Sequence, residues 1–228
     1  MNQSIPDGLE SLEYRLHLPE DVQDGSPVLI LLHGRGSDER DLAGFARLLP
    51  EATALVTPRA PFAGRPWGYG SGWAWYRYVS EDRVVDETLH TSLALLDRLF
   101  HDVRGALSFE PGPQFLGGFS QGGTTSLAWA LTRSSSLAGI VNLSGFLVDA
   151  QAVEVSEETA GGLPVFWGHG REDPNIPFFL AERGRGRLQV AGALLHEVDH
   201  PGGHNVTPGE MQALREWMEE RSSPRRSP

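Results

Sequence analysis

The sequence predicts an α/β fold: one doubly wound, mostly parallel sheet with helices on both faces. Three observations predict it. Short apolar runs alternate with longer segments of helical periodicity along most of the chain, the order that parallel strands joined by crossover helices require. The run Val28-Leu29-Ile30-Leu31-Leu32 has no polar alternation, as expected of a strand covered on both faces. Finally, Gly117-Gly118-Phe119-Ser120-Gln121-Gly122-Gly123 lies between the apolar stretch Pro113-Gln114-Phe115-Leu116 and the Ala/Leu/Trp-rich segment Thr124 to Leu131. There a strand would turn sharply into a helix with a serine at the bend.

The elements follow in order. Leu12, Tyr14, Leu16 and Leu18 alternate with Glu13, Arg15 and His17, the period of a half-buried strand. Val28 to Leu32 ends in His33-Gly34-Arg35-Gly36-Ser37-Asp38. The spacing then predicts a helix over 38–49, with Leu42, Phe45, Ala46 and Leu49 on one face and Ser37 or Asp38 as N-cap. Thr53 to Thr57 is a strand closed by Pro58. Residues 59–79 are irregular but carry Trp67, Tyr69, Trp73, Trp75, Tyr76 and Tyr78; so many rings argue against disorder and for a functional loop. A long amphipathic helix is expected over 81–104, then the glycine-flanked serine and a helix to about Arg133. Leu137 to Leu143 is a strand, 148–162 an acidic loop, Pro164 to Gly170 a strand, Pro177 to Val190 a helix and Leu194 to Asp199 a strand. Thr207-Pro208-Gly209-Glu210 opens the last helix, with Thr207 as N-cap.

Composition sets the class. With 228 residues, 39% of them hydrophobic and 21% charged, the chain supports one globular domain, taken as 1–220, with a solvated tail over 221–228. A net charge of −11 disfavours nucleic acid and anionic membrane as partners, and no apolar run suffices for membrane insertion. The first residues, Met1 to Gly8, lack the pattern of a signal peptide. Cysteine is absent, so no disulfide, thiolate metal site or cysteine nucleophile exists. A cytoplasmic location is expected, and a homodimer is compatible with the chain.

In doubly wound sheets ligands bind beyond the carboxyl ends of the strands, and three such loops carry complementary chemistry. Ser120 needs a base, because a free hydroxyl is almost never ionised near neutral pH. His204, in Pro201-Gly202-Gly203-His204-Asn205, follows the last strand; His200 is its nearest competitor. Asp173, in Gly168-His169-Gly170-Arg171-Glu172-Asp173-Pro174, can orient the imidazole, with Glu172 and Asp199 as alternatives. The order Ser…Asp…His is that of α/β-hydrolases. An oxyanion would be held by the N–H of Gln121, after the serine, and by that of Arg35 in the His33-Gly34-Arg35-Gly36 loop.

The chain resembles the carboxylesterase/phospholipase family that includes acyl-protein thioesterases. Leu32-His33-Gly34-Arg35-Gly36, Gly118-Phe119-Ser120-Gln121-Gly122-Gly123, His169-Gly170-Arg171-Glu172-Asp173-Pro174 and Gly202-Gly203-His204 carry the resemblance across residues 28–205. It implies the α/β-hydrolase fold, with Ser120 as nucleophile, Asp173 as acid, His204 as base and Arg35 and Gln121 as oxyanion donors. Arg35 to Leu42, with Trp73-Ala74-Trp75-Tyr76, looks more like the bacterial branch of small carboxylesterases. The expectation is a serine carboxylester hydrolase for small to medium acyl esters, needing no metal or organic cofactor, with a small-molecule ester as partner. Thioesterase or lysophospholipase activity is the near alternative, and a non-catalytic binding protein the alternative of another class. Trp73, Trp75 and Tyr76 are the expected substrate wall. If the Arg35 side chain faces the pocket, carboxylate-bearing esters are favoured.

Overall fold

The computed structural model describes residues 9–133 and 136–223. Seven strands form the central sheet: β1 (Tyr14–His17), β2 (Val28–Leu32), β3 (Ala54–Pro58), then β8 (Gln114–Phe119), β9 (Gly139–Leu143), β10 (Pro164–Gly170) and β11 (Leu194–His200). Between β3 and β8 lie two small hairpins, β4 (Phe62–Ala63) with β5 (Trp73–Ala74) and β6 (Tyr78–Ser80) with β7 (Arg83–Val84). The helices are α1 (Asp86–Ala106), α2 (Gln121–Thr132), α3 (Glu157–Ala160), α4 (Phe178–Val190) and α5 (Pro208–Ser222).

The strand order is β1-β3-β2-β8-β9-β10-β11. Only β1 runs antiparallel to its neighbour; every other pairing in this sheet is parallel. The sheet is buried because successive side chains of its central strands enter different cores. Val28, Ile30 and Leu32 pack with α1, α2 and α4 on one face, while Leu29 and Leu31 pack with α5 on the other. This is why β2 reads as an unbroken apolar run. After β2 the chain winds toward β3, and after β8 it winds the other way through β9, β10 and β11. The winding direction therefore reverses at the β2/β8 boundary, where a crevice opens beyond the strand ends.

Several boundaries differ from the sequence reading. Residues 38–49 do not form an α-helix. A 3₁₀ helix, Ala43–Leu48, follows a series of turns, and its N-cap, Leu42, makes no side-chain capping bond. Asp38 instead accepts the Arg40 N–H through its carboxylate at 2.9 Å, a local bond that competes with helical pairing. Leu42 and Leu49 are still buried, and Phe45 and Ala46 still pack on the same core. Helix α1 starts at Asp86 rather than Glu81 because Glu81 has φ 48 at the turn between β6 and β7. The stretch 148–162 contains α3, begun by a capping box between Ser156 and Thr159. Arg221 and Ser222, expected in the tail, complete α5; 224–228, the end of the expected tail, lie outside the described residues, as do 1–8, expected to lack a signal peptide. No helix among the described residues is long and apolar enough to cross a membrane.

Candidate active site

Ser120 stands between β8 and α2 with φ 56 and ψ −118, a conformation that side chains other than glycine rarely adopt. The two flanking glycines allow it. A Cβ on Gly118 would lie 2.4 Å from the Gly122 carbonyl carbon, and one on Gly122 would lie 2.1 Å from the Leu32 carbonyl oxygen. The turn is thus packed directly onto the end of β2. The Ser120 N–H donates to Leu143 O at 2.7 Å, and Thr124 N–H donates to Ser120 O at 3.1 Å, so both sides of the bend are held.

His204 lies in the loop between β11 and α5. Its Nε2 is 2.9 Å from Ser120 Oγ, and its Nδ1 is 2.6 Å from Asp173 Oδ2. The Nδ1–H donates to the carboxylate, which leaves Nε2 to accept the serine hydroxyl. Phe119 packs on the imidazole, with ring centroids 4.8 Å apart. Asp173 follows β10 and its side chain is buried. Its other oxygen, Oδ1, accepts the N–H groups of Asn175 and Ile176 at 2.8 and 2.9 Å. Burial pushes this carboxyl up, but the bonds from His204 and from the Ile176 and Asn175 N–H groups outweigh it and hold it below the ordinary aspartate range. The carboxylate is therefore ionised near neutral pH.

The competing residues are engaged elsewhere. His200 Nδ1 accepts the Gly202 N–H at 3.1 Å and its Nε2 is 3.6 Å from Glu210. Asp199 pairs with Arg185 and Arg171 at 2.8 and 3.1 Å, and Glu172 is exposed. His169 is buried beneath Asp173. Its Nε2–H donates to Ile176 O at 2.9 Å, and burial lowers its basicity, so it supports the loop carrying Asp173 as a neutral ring.

A cleft of about 280 Å³ opens over Ser120, lined by Gly34, Arg35, Gln121, Tyr76, Tyr78, Phe119, Phe146, Asn175, Ile176 and His204. Arg35 and Gln121 thus meet beside the serine, one from the loop after β2 and the other from the first turn of α2. A first-turn N–H has no acceptor within its own helix, so that of Gln121, a residue lining the cleft, is free of helical pairing.

The expected aromatic wall needs correction. Tyr76 lines the cleft, but Trp73 and Trp75 do not. Trp75 is fully buried, and its indole N–H donates to His33 O at 2.9 Å. Trp73 faces the Arg59 guanidinium, 5.1 Å from its ring, and pairs through its backbone with Gly36 and Ser37. The Trp75 indole and the Trp73 backbone fasten the irregular segment to the loop after β2.

Two structural roles escaped the sequence reading. The Gln121 side chain accepts Trp75 N–H at 3.0 Å and donates to Tyr76 O at 2.8 Å, so one amide pins the aromatic segment to α2. His33 donates from Nδ1 to Gly34 O at 2.7 Å and accepts Ala60 N–H on Nε2 at 3.0 Å. Burial lowers its basicity and keeps it neutral, as this donor–acceptor pattern requires. Both residues stood inside motifs already singled out, but, Gly34 apart, their side-chain partners are 27 to 46 positions distant in sequence.

Comparison with known proteins identifies the family. Acyl-protein thioesterase 1 from Cryptococcus neoformans is 34% identical over 120 residues, 46% of this chain and 50% of that protein. Acyl-protein thioesterase 1 from Kluyveromyces lactis is 31% identical over 169 residues, 68% of this chain and 73% of that protein. The chain thus spans about half the length of the first of these relatives. The crystal structure of esterase PE8 superposes with a TM-score of 0.79 at 25% identity, covering 92% of this chain and 99% of that one. Residues 19–222 match the Phospholipase/Carboxylesterase family as a whole, and the chain belongs to that family.

Proposed function

We propose that this chain is a serine carboxylester hydrolase that acts on small to medium acyl esters through an acyl-enzyme. The observation that carries the reading is the hydrogen-bonded series Asp173–His204–Ser120, at 2.6 and 2.9 Å, opening into one cleft. Ser120 Oγ attacks the ester carbonyl carbon while its proton passes to His204 Nε2. Asp173, ionised and buried, fixes the His204 tautomer and stabilises the imidazolium. The carbonyl oxygen becomes an oxyanion and accepts the N–H groups of Arg35 and Gln121, each worth roughly 2.7–4 kcal/mol of transition-state stabilisation. The C–O bond to the alcohol then breaks, and His204 returns its proton to the leaving oxygen. Water repeats the sequence on the acyl-serine: His204 takes its proton, hydroxide adds to the carbonyl, and the acid leaves as Ser120 is reprotonated.

A cleft of about 280 Å³ supports the preference for modest acyl groups, since pockets for larger organic ligands run from about 300 to 1,000 Å³. The names of the fungal relatives favour a second reading, acyl-thioester hydrolysis, which would use the same residues on a thiol leaving group. Turnover of p-nitrophenyl esters of graded acyl length, beside the matched thioesters, tests both. The expected result is a short-chain ester preference, with kcat lowered by about 10⁴-fold or more in Ser120→Ala and a fluorophosphonate label on Ser120 of the wild type. A thioester preference would shift the assignment to the second reading. Absence of turnover together with absence of label would overturn both.

A further inference from the structure

Arg35 lines the cleft over Ser120, together with Tyr76 and Tyr78. Its guanidinium lies over the Tyr69 ring, 4.7 Å from the centroid, and its positive charge reaches the hydroxyls of Tyr76 and Tyr78. Tyr69 is an anchored platform. Its hydroxyl accepts Tyr78 N–H at 2.8 Å, its backbone N–H donates to Gly64 O at 3.0 Å, and Trp67 meets its ring edge-on at 5.9 Å. A guanidinium laid on a ring uses its flat face and leaves its in-plane N–H donors free.

Among the described residues Arg35 has no ion pair, and no aspartate or glutamate lines the cleft. Of the acids close to the cleft side chains, Asp173 is held by His204 and Asp82 by Arg183, each at 2.6 Å, while Glu81 stands exposed at the turn between β6 and β7. In a chain of net charge −11 this is a local reversal of sign. An anionic substrate is repelled by the molecule at long range, so its selection needs a cation within the site.

We propose that Arg35, seated on Tyr69, determines specificity by selecting esters that carry a carboxylate close to the scissile bond, such as half-esters of short dicarboxylic acids. This rests on the hydrolase reading above. The in-plane donors of Arg35 match a carboxylate in two-point geometry, and the backbone of the same residue borders the reacting carbonyl. The reach of one arginine side chain thus limits how far the carboxylate stands from the carbonyl. The aromatic segment acts on substrate indirectly, through the platform under this cation.

The test compares charged and neutral isosteres by pH-stat. One arm pairs monomethyl glutarate with methyl pentanoate, placing the carboxylate on the acyl side. The other pairs butanoyloxyacetate with ethyl butanoate, placing it on the alcohol side. In wild type the charged-to-neutral ratio of kcat/KM is expected to exceed one by on the order of tenfold in one arm, which identifies the side, and to fall as salt is added. Arg35→Ala should bring that ratio to one or below, Arg35→Lys should keep part of it, and Tyr69→Leu should reduce it with Arg35 still present. Using a ratio cancels any common loss from disturbance of the loop. Turnover of the neutral esters with a ratio at or below one in both arms, or a ratio unchanged in Arg35→Ala, overturns the proposal and leaves the hydrolase reading intact. Failure of every ester, with no fluorophosphonate label on Ser120, overturns the hydrolase reading and this proposal together.

Discussion

Ser120 occupies φ 56 and ψ −118, a backbone state that costs of order 1–3 kcal/mol for a residue with a side chain. The surroundings over-determine it: Leu143 O holds its N–H, Thr124 N–H holds its carbonyl, and the flanking glycines let β2 come close. The result is a bend that places the hydroxyl 2.9 Å from His204 Nε2. Asp173 is built on the same plan, with one oxygen for His204 and the other for two backbone N–H groups. Under the proposed mechanism Asp173→Asn keeps the loop packed but reverses the donor–acceptor match to His204 Nδ1. The expected loss is about 10⁴-fold in kcat with KM little changed, read by steady-state kinetics alongside a thermal melt close to wild type.

At the scale of elements, two helices do more than cover the sheet. Helix α2 carries Gln121, whose amide holds the backbone of Trp75 and Tyr76. Gln121→Leu leaves a buried N–H and a buried C=O unpaired, each costing about 1–3 kcal/mol. Stability should fall by about 2 kcal/mol or more in urea unfolding, and kcat/KM should fall with it as Tyr76 loses its place in the cleft. Helix α5 begins with a capping box, in which Glu210 N–H donates to the Thr207 hydroxyl and Thr207 N–H donates to the Glu210 carboxyl. Glu210 is buried, and burial pushes its carboxyl up to about 7. The unfolded chain ionises this group from its ordinary value of 4.5, while the folded chain keeps the proton. Unfolding therefore releases a proton between those values, and stability falls as pH rises from 4.5 toward 7. Glu210→Gln preserves the capping box and should flatten this part of the stability–pH profile. A mutant profile as steep as the wild type would place the titration elsewhere.

Across the whole molecule, acids outnumber Lys and Arg by 30 to 19, yet arginine–carboxylate contacts tie distant segments together. Glu39, buried after β2, is bonded by Arg59 beyond β3 at 2.7 Å and approached by Arg15 of β1 at 3.6 Å. The Arg59 hydrogen bond pulls the Glu39 carboxyl down to about 2, against the opposing effect of burial. A depressed folded value contributes stability that is fully present above the unfolded value of 4.5 and is lost as pH falls toward 2. Glu39→Gln should accordingly lower Tm at neutral pH, with the difference from wild type shrinking below pH 4.5. A pH-independent difference would mean that packing, not charge, holds this corner.

The sequence by itself determined the winding of the sheet, because an apolar run such as Val28 to Leu32 is stable only when both faces are covered. It also determined the glycine-flanked serine, since Gly118 and Gly122 are required by local sterics, and the start of α5, where Thr207 and Glu210 are three residues apart. It placed Asp173 and His204 in loops after strands. It left His200, Glu172 and Asp199 as competitors, because loop position alone does not say which side chain turns inward. Only the tertiary structure decided that His204, and not His200, meets Ser120. Only the tertiary structure turned Trp73 and Trp75 into fasteners, leaving Tyr76 at the cleft and Arg35 on Tyr69. The physical reason is range. Periodicity and turn chemistry act between residues a few positions apart. The burial of Trp75 and the direction of Arg35 depend on partners brought in from other elements, which no local pattern encodes.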